Sequence, residues 1–150
     1  MALSDRLATF CTNFDQDLEA GTALATNQYD LGASGRDPGN GQVLYVNFVV
    51  DELFSTGSSP TAEFRVVSDD TASIHATTMT IHASTGPIAA ALLVAGYRFS
   101  IPLPVGGPAY ERYLGVQCLI ATATTTTGTV TAWLGLEPVG KITLFADAQN

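Results

Sequence analysis

With 150 residues, 46% apolar and 13% charged, the chain suits one domain with a real core and is unlike the charged, apolar-poor composition of disordered segments. Charged residues usually make up about 25% of a protein, so Thr, Ser, Asn, Gln and Gly must cover this surface, a trait suited to a chain buried in an assembly. The net charge is −8 and the basic residues (Arg6, Arg36, Arg65, Arg98, Arg112, Lys141) are scattered, which argues against nucleic acid and against an anionic membrane surface as partners.

Residues 1–20 carry a helical pattern. Leu3, Leu7, Phe10, Phe14 and Leu18 fall on one helix face, and Ser4 is placed to cap it. The expectation is a short N-terminal helix or an apolar arm that orders on a partner. From Thr22 onward the period is two. Thr26–Leu31 reads as a short strand, and residues 32–41 (GASGRDPGNG) as a loop of turn formers. Gln42–Val50 is a strong strand with Leu44, Val46, Phe48 and Val50 on one face. Residues 51–61 read as a loop. Ala62–Ser68 sets Ala62, Phe64 and Val66 against Glu63, Arg65 and Val67, and Thr77–Ala83 alternates again.

Pro87–Gly96 looks helical by composition, bounded by Pro87 and Gly96, and a turn or two of helix or a covered loop is expected there. Tyr97–Leu103 is a strand with Tyr97, Phe99 and Ile101 facing one way, ended by a proline- and glycine-rich loop. Glu111–Thr122 reads as a long strand. Thr124–Gly128 reads as a tight connection, and Thr129–Glu137 as the antiparallel mate of the strand before it. The sum is an all-β antiparallel sandwich of about eight strands, which favours a jelly roll over an immunoglobulin type. Residues 21–140 form the sandwich on this reading, with residues 141–150 as a C-terminal tail.

The chemistry-bearing residues form no recognisable constellation. His75 and His82 point to opposite faces of a strand region, so a shared zinc site is not expected. Asp69 and Asp70 read as a solvated acidic turn. The spacing required by a calcium loop is missing, as are the G-x-S-x-G elbow and the P-loop lysine. Cys118 sits in an apolar strand pattern and reads as a core residue; a bridge to Cys11 has no support in the spacing. The run from Thr122 to Thr131 is either a ladder that adds to another chain's sheet or a polar hairpin tip. The expectation is a non-enzyme with no cofactor and no metal. No N-terminal apolar region precedes a cleavage site, and no apolar run reaches about 18 residues, so synthesis in a reducing cytoplasm is expected.

A series of segments then resembles one family. NQYDLG at 27–32, GRD at 35–37, GQVLYV at 41–46, AALLVAGYRFSIPLP at 90–104, ERYL at 111–114 and TTTTGTVTA at 124–132 are similar, in order, to the jelly-roll capsid cement (decoration) proteins of short-tailed bacteriophages. The resemblance spans about residues 7–137. It implies a structural virion protein on the outer capsid surface, made in the host bacterial cytoplasm. Such a protein bridges neighbouring copies of the major capsid protein and pairs with itself, as a homodimer or a trimer. On this reading the contact residues are expected among Leu3, Leu7, Phe10 and Phe14 of the arm, Arg36 and Asp37 of the GRD turn, and Tyr110, Arg112 and Tyr113. The rival readings are a carbohydrate- or receptor-binding jelly-roll module and a jelly-roll hydrolase.

Overall fold

The computed structural model describes residues 9–15, 21–25, 27–55, 57–123 and 125–142. They form two packed sheets. The first contains β1 (Thr9–Asp15), β10 (Thr129–Gly135), β4 (Tyr45–Glu52), β8 (Arg98–Pro102) and β11 (Lys141–Ile142), in that spatial order. The second contains β2 (Gly21–Leu24), β9 (Tyr113–Ala121), β5 (Thr61–Asp69) and β6 (Thr80–Ser84) in order, with the short β3 (Tyr29–Asp30) on β9 and β7 (Ile88–Ala89) on β5. All pairings are antiparallel except β11 on β8, which is parallel.

Apart from the β5–β6 hairpin, successive principal strands (β1, β2, β4, β5, β6, β8, β9, β10) switch sheets. The resulting orders, β1-β10-β4-β8 over β2-β9-β5-β6, are those of an eight-stranded jelly roll. The alternation read from the sequence creates this core. Ala62, Phe64 and Val66 of β5 face Val46, Phe48 and Val50 of β4, all fully buried. The two sheets are joined at Phe64. Its ring lies 5.3 Å from Phe48 and 5.1 Å from Phe99, and those two stack on each other at 4.7 Å. Such ring pairs add about 0.5–1.5 kcal/mol each beyond their buried area.

Several expectations are corrected. Thr9–Asp15 is an edge strand rather than part of a helix, paired with β10. Residues four apart share a face in a strand as they do in a helix, so Phe10 and Phe14 fit both; Thr9, Thr12 and Asn13 are poor helix formers. Irregular register on either side of Cys11 lets Phe10 and Cys11, adjacent in the chain, both be buried. Leu3 and Leu7 lie outside the described residues. The strand expected at Thr26–Leu31 shrinks to β3, and β2 before it was not foreseen. Pro87–Gly96, where a turn or two of helix or a covered loop is expected, holds β7 and then one 3-10 turn, Ala90–Leu92.

The largest correction concerns β9 and β10, which are not a hairpin. β9 lies between β2 and β5, whereas β10 crosses to the other sheet, between β1 and β4. The connection arches over the end of the core. Thr122 (φ 75°) and Gly128 (φ 138°) have left-handed backbone, and a Cβ on Gly128 would stand 2.7 Å from the Phe54 ring. Cys11 and Cys118 are both free and buried.

Candidate functional site

The strand directions gather the loops at two ends of the sandwich. At one end, three loops are stitched together by hydrogen bonds. Phe54 N–H donates to Leu93 O (3.1 Å) and Ser55 N–H to Thr127 O (3.3 Å). Thr127 Oγ1 donates to Leu53 O (3.0 Å), Thr126 N–H to Ser55 Oγ (2.8 Å), and Thr131 Oγ1 to Asp51 Oδ2 (2.7 Å). The threonines here are therefore neither a free ladder nor a loose tip, because they tie the β9–β10 loop to the β4–β5 loop. This internal stitching fixes three apolar side chains in the open: Leu53, Leu92 and Val94 are 52%, 59% and 52% exposed. The three loops (53–60, 85–96 and 122–128) contain no charged residue.

The opposite end carries the charges. The β3–β4 loop, which holds the GRD turn, leans on the β8–β9 loop through Leu31 N–H to Arg112 O (2.8 Å) and Gly35 N–H to Tyr110 O (2.6 Å). Arg112 grips Asp30 with two hydrogen bonds, 2.9 and 3.0 Å, and lies over the Tyr113 ring, 5.0 Å from its centre. The Arg112 guanidinium, with help from the Gly32 amide, holds the Asp30 carboxyl below its usual range. Arg36 and Asp37 do not pair with each other. Arg36 Nη1 donates to Leu31 O at 3.3 Å, while Asp37 accepts from the Gly39 and Gly41 amides and shapes the turn. A shallow cleft of about 380 Å³ runs from Tyr29 and Asp30 to Arg36 and Asp37.

The residues singled out in the sequence thus separate. Arg36, Asp37, Arg112 and Tyr113 converge on the charged end. Tyr110 is buried beside them: its hydroxyl donates to Pro104 O (2.7 Å) and its ring stacks on His82. Burial, with the Asp37 charge, pushes the Tyr110 phenol up to about 12, so it remains a donor. Phe10 is buried in the core. Phe14 sits in β1 opposite Val130. Leu53, Leu92 and Val94 were missed. Leu53 opens a segment of turn formers, and Leu92 and Val94 sit in the apolar run between Pro87 and Gly96.

Asp69 is not solvated. Burial opposes its charge, but hydrogen bonds from His75 N–H, Thr78 Oγ1 and the amide and hydroxyl of Thr71 outweigh that and keep its carboxyl below the usual range. It organises the loop 70–79, whose Ile74 rests on Gly115 of β9. His82 accepts from or donates to Ser68 Oγ at 2.7 Å, and Ser68 is fully buried, so that pair is structural. Among the described residues, no group of three or more His, Cys, Asp or Glu side chains is placed to hold a metal ion.

A family model described as Bbp16 matches residues 15–134, and the chain belongs to that family. No curated protein matches the sequence.

Proposed function

We propose that this member of the Bbp16 family is a capsid cement protein, which sits on the outer surface of a phage shell and bridges neighbouring major capsid proteins. The supporting observation is the neutral apolar end of the sandwich. Exposed Leu53, Leu92 and Val94 are held on two of three cross-bonded loops, none of which contains a charged residue. Exposed apolar side chains on hydrogen-bonded loops suit a permanent protein contact, because burying them removes water without stranding a charge. Each half-exposed side chain contributes on the order of 1 kcal/mol when covered.

A bridge needs two adhesive surfaces at a fixed distance. The charged end supplies the second, with Arg36, Asp37, Arg112 and Tyr113 exposed or partly exposed on interlocked loops. The sandwich between the ends is packed across the sheets by Phe64, which touches both Phe48 and Phe99. Repetition of such contacts over a symmetric shell turns modest local affinities into avidity. Pairing of subunits, as a homodimer, belongs to the same reading.

The experiment compares shells assembled with and without this chain under heating and osmotic shock. Cemented shells should survive conditions that open bare ones, and adding the purified protein back should restore resistance. Bare shells that survive equally well would refute the proposal.

A further inference from the structure

The loop of turn formers at 32–41 ends in a tight reversal. Gln42 N–H donates to Gly39 O (2.9 Å), and the two residues between them, Asn40 (φ 48°) and Gly41 (φ 87°), have left-handed backbone. Positive φ at both central positions marks a type I′ turn, and Asn-Gly is the pair best suited to it. Asn40 and Gly41 are both exposed.

The same pair is chemically labile. The backbone nitrogen that follows an asparagine can attack the side-chain carbonyl carbon, Cγ. A new N–C bond closes a five-membered imide, the nitrogen gives up its proton, and the side-chain nitrogen leaves as ammonia. Water then opens the ring at one of its two carbonyls, which yields aspartate or its isomer with the main chain routed through the side chain. The sum is one water consumed and one ammonia released. Glycine in second place leaves the attacking nitrogen unhindered. Asn40 is the one asparagine of the chain followed by glycine; Asn13 and Asn47 precede phenylalanine, and Asn27 precedes glutamine.

The fold holds the reacting atoms apart. Left-handed backbone at Asn40 sets ψ at roughly +30 to +60°. The Gly41 nitrogen then lies nearly opposite Cβ across the Cα–C bond, on the wrong side to reach Cγ, and ring closure requires this peptide plane to turn over. Asp37 opposes that rotation. Its Oδ2 accepts the Gly41 N–H (2.6 Å), its Oδ1 accepts the Gly39 N–H (3.0 Å), and its backbone carbonyl accepts the Asn40 N–H (3.1 Å). The first of these bonds occupies the N–H that must lose its proton. The carboxylate charge beside it disfavours the amide anion that makes the attack.

We propose that Asn40 is a latent deamidation site and that Asp37 is the positioning residue that keeps it closed in the folded chain. Opening the site adds a negative charge to the loop that carries Arg36, and the isomer also lengthens the main chain at the turn. The test incubates the full-length protein at pH 8 and follows the conversion of Asn40 by peptide mass mapping. The native protein should convert at least about tenfold more slowly than the same chain held in urea, since reaction requires local opening of the turn. Asp37→Ala should remove most of that protection while leaving the melting temperature nearly unchanged, and Asp37→Asn, which keeps one acceptor oxygen, should fall between. Equal rates for native and urea-unfolded chains would overturn the latent site, and this comparison needs no variant. A native Asp37→Ala protein that converts no faster than the parent would overturn the role of Asp37.

Discussion

The imidazole of His82 stacks on the phenol of Tyr110 with ring centres 4.1 Å apart and an interplanar angle of 26°. Burial there lowers the His82 pKa below its ordinary 6.5. The unfolded chain therefore binds this proton more readily than the folded one. The stability His82 contributes is complete above about pH 6.5 and is lost as the pH falls from there toward its folded pKa. Melting temperatures measured between pH 7.5 and 5 should fall on acidification, and the slope should flatten in His82→Gln. Carboxylates such as Asp30, Glu63 and Asp69, whose pKa values are lowered, act in a separate and more acidic window.

Phe64→Ala should cost about 3–5 kcal/mol in urea unfolding, because it removes a ring that touches both Phe48 and Phe99 across the sheets. Leu92→Ser should stay within about 0.5 kcal/mol, since Leu92 lies largely in solvent.

Replacing Leu53, Leu92 and Val94 together with Ser should leave the melting temperature nearly unchanged yet weaken shell retention by about a hundredfold. This follows from roughly 1 kcal/mol lost at each position. Sedimentation of shells with bound protein reads the occupancy. Unaltered retention would remove this end from the proposed contact.

Asp69→Ala should release the loop 70–79. The cost is about 1–3 kcal/mol from lost hydrogen bonds, and new protease cleavage should appear within that segment. A cleavage pattern identical to that of the parent protein would show the loop to be held by Ile74 alone.

Burial pushes the Cys11 thiol up to about 12 and raises that of Cys118 as well. Neither should react with a maleimide at pH 8 in the native protein, and both should react in denaturant. Labelling counted by mass spectrometry checks this.

Period-two alternation was readable wherever one strand face is core. Ala62-Phe64-Val66 and Tyr97-Phe99-Ile101 showed their inward faces directly, and the strand count pointed to the jelly roll. Local pattern does not encode partners, so β9 and β10 looked like a hairpin when each pairs in a different sheet. The Phe10–Phe14 spacing fits two periods at once, and only pairing with β10 decides between them. The convergence of Arg36, Asp37, Arg112 and Tyr113 likewise depends on long-range packing, and their order in the chain gives no hint that Arg112 meets Asp30. Tyr110 reads as a surface anchor by residue type, yet the loop that carries it turns the ring inward.

The insertion of β10 between β1 and β4 has a consequence for how the chain is made. Cys11 Sγ–H donates to Val130 O, a partner 119 positions later in the sequence. Until a ribosome has synthesised β10, β1 and β4 lack the strand that joins them. Each waits with a bare edge for the seconds that remaining synthesis takes, at roughly 5–20 residues per second. The first sheet cannot close before β10 is made, so a product terminated ahead of it is an unclosed, self-adhesive fragment and not a smaller version of the domain.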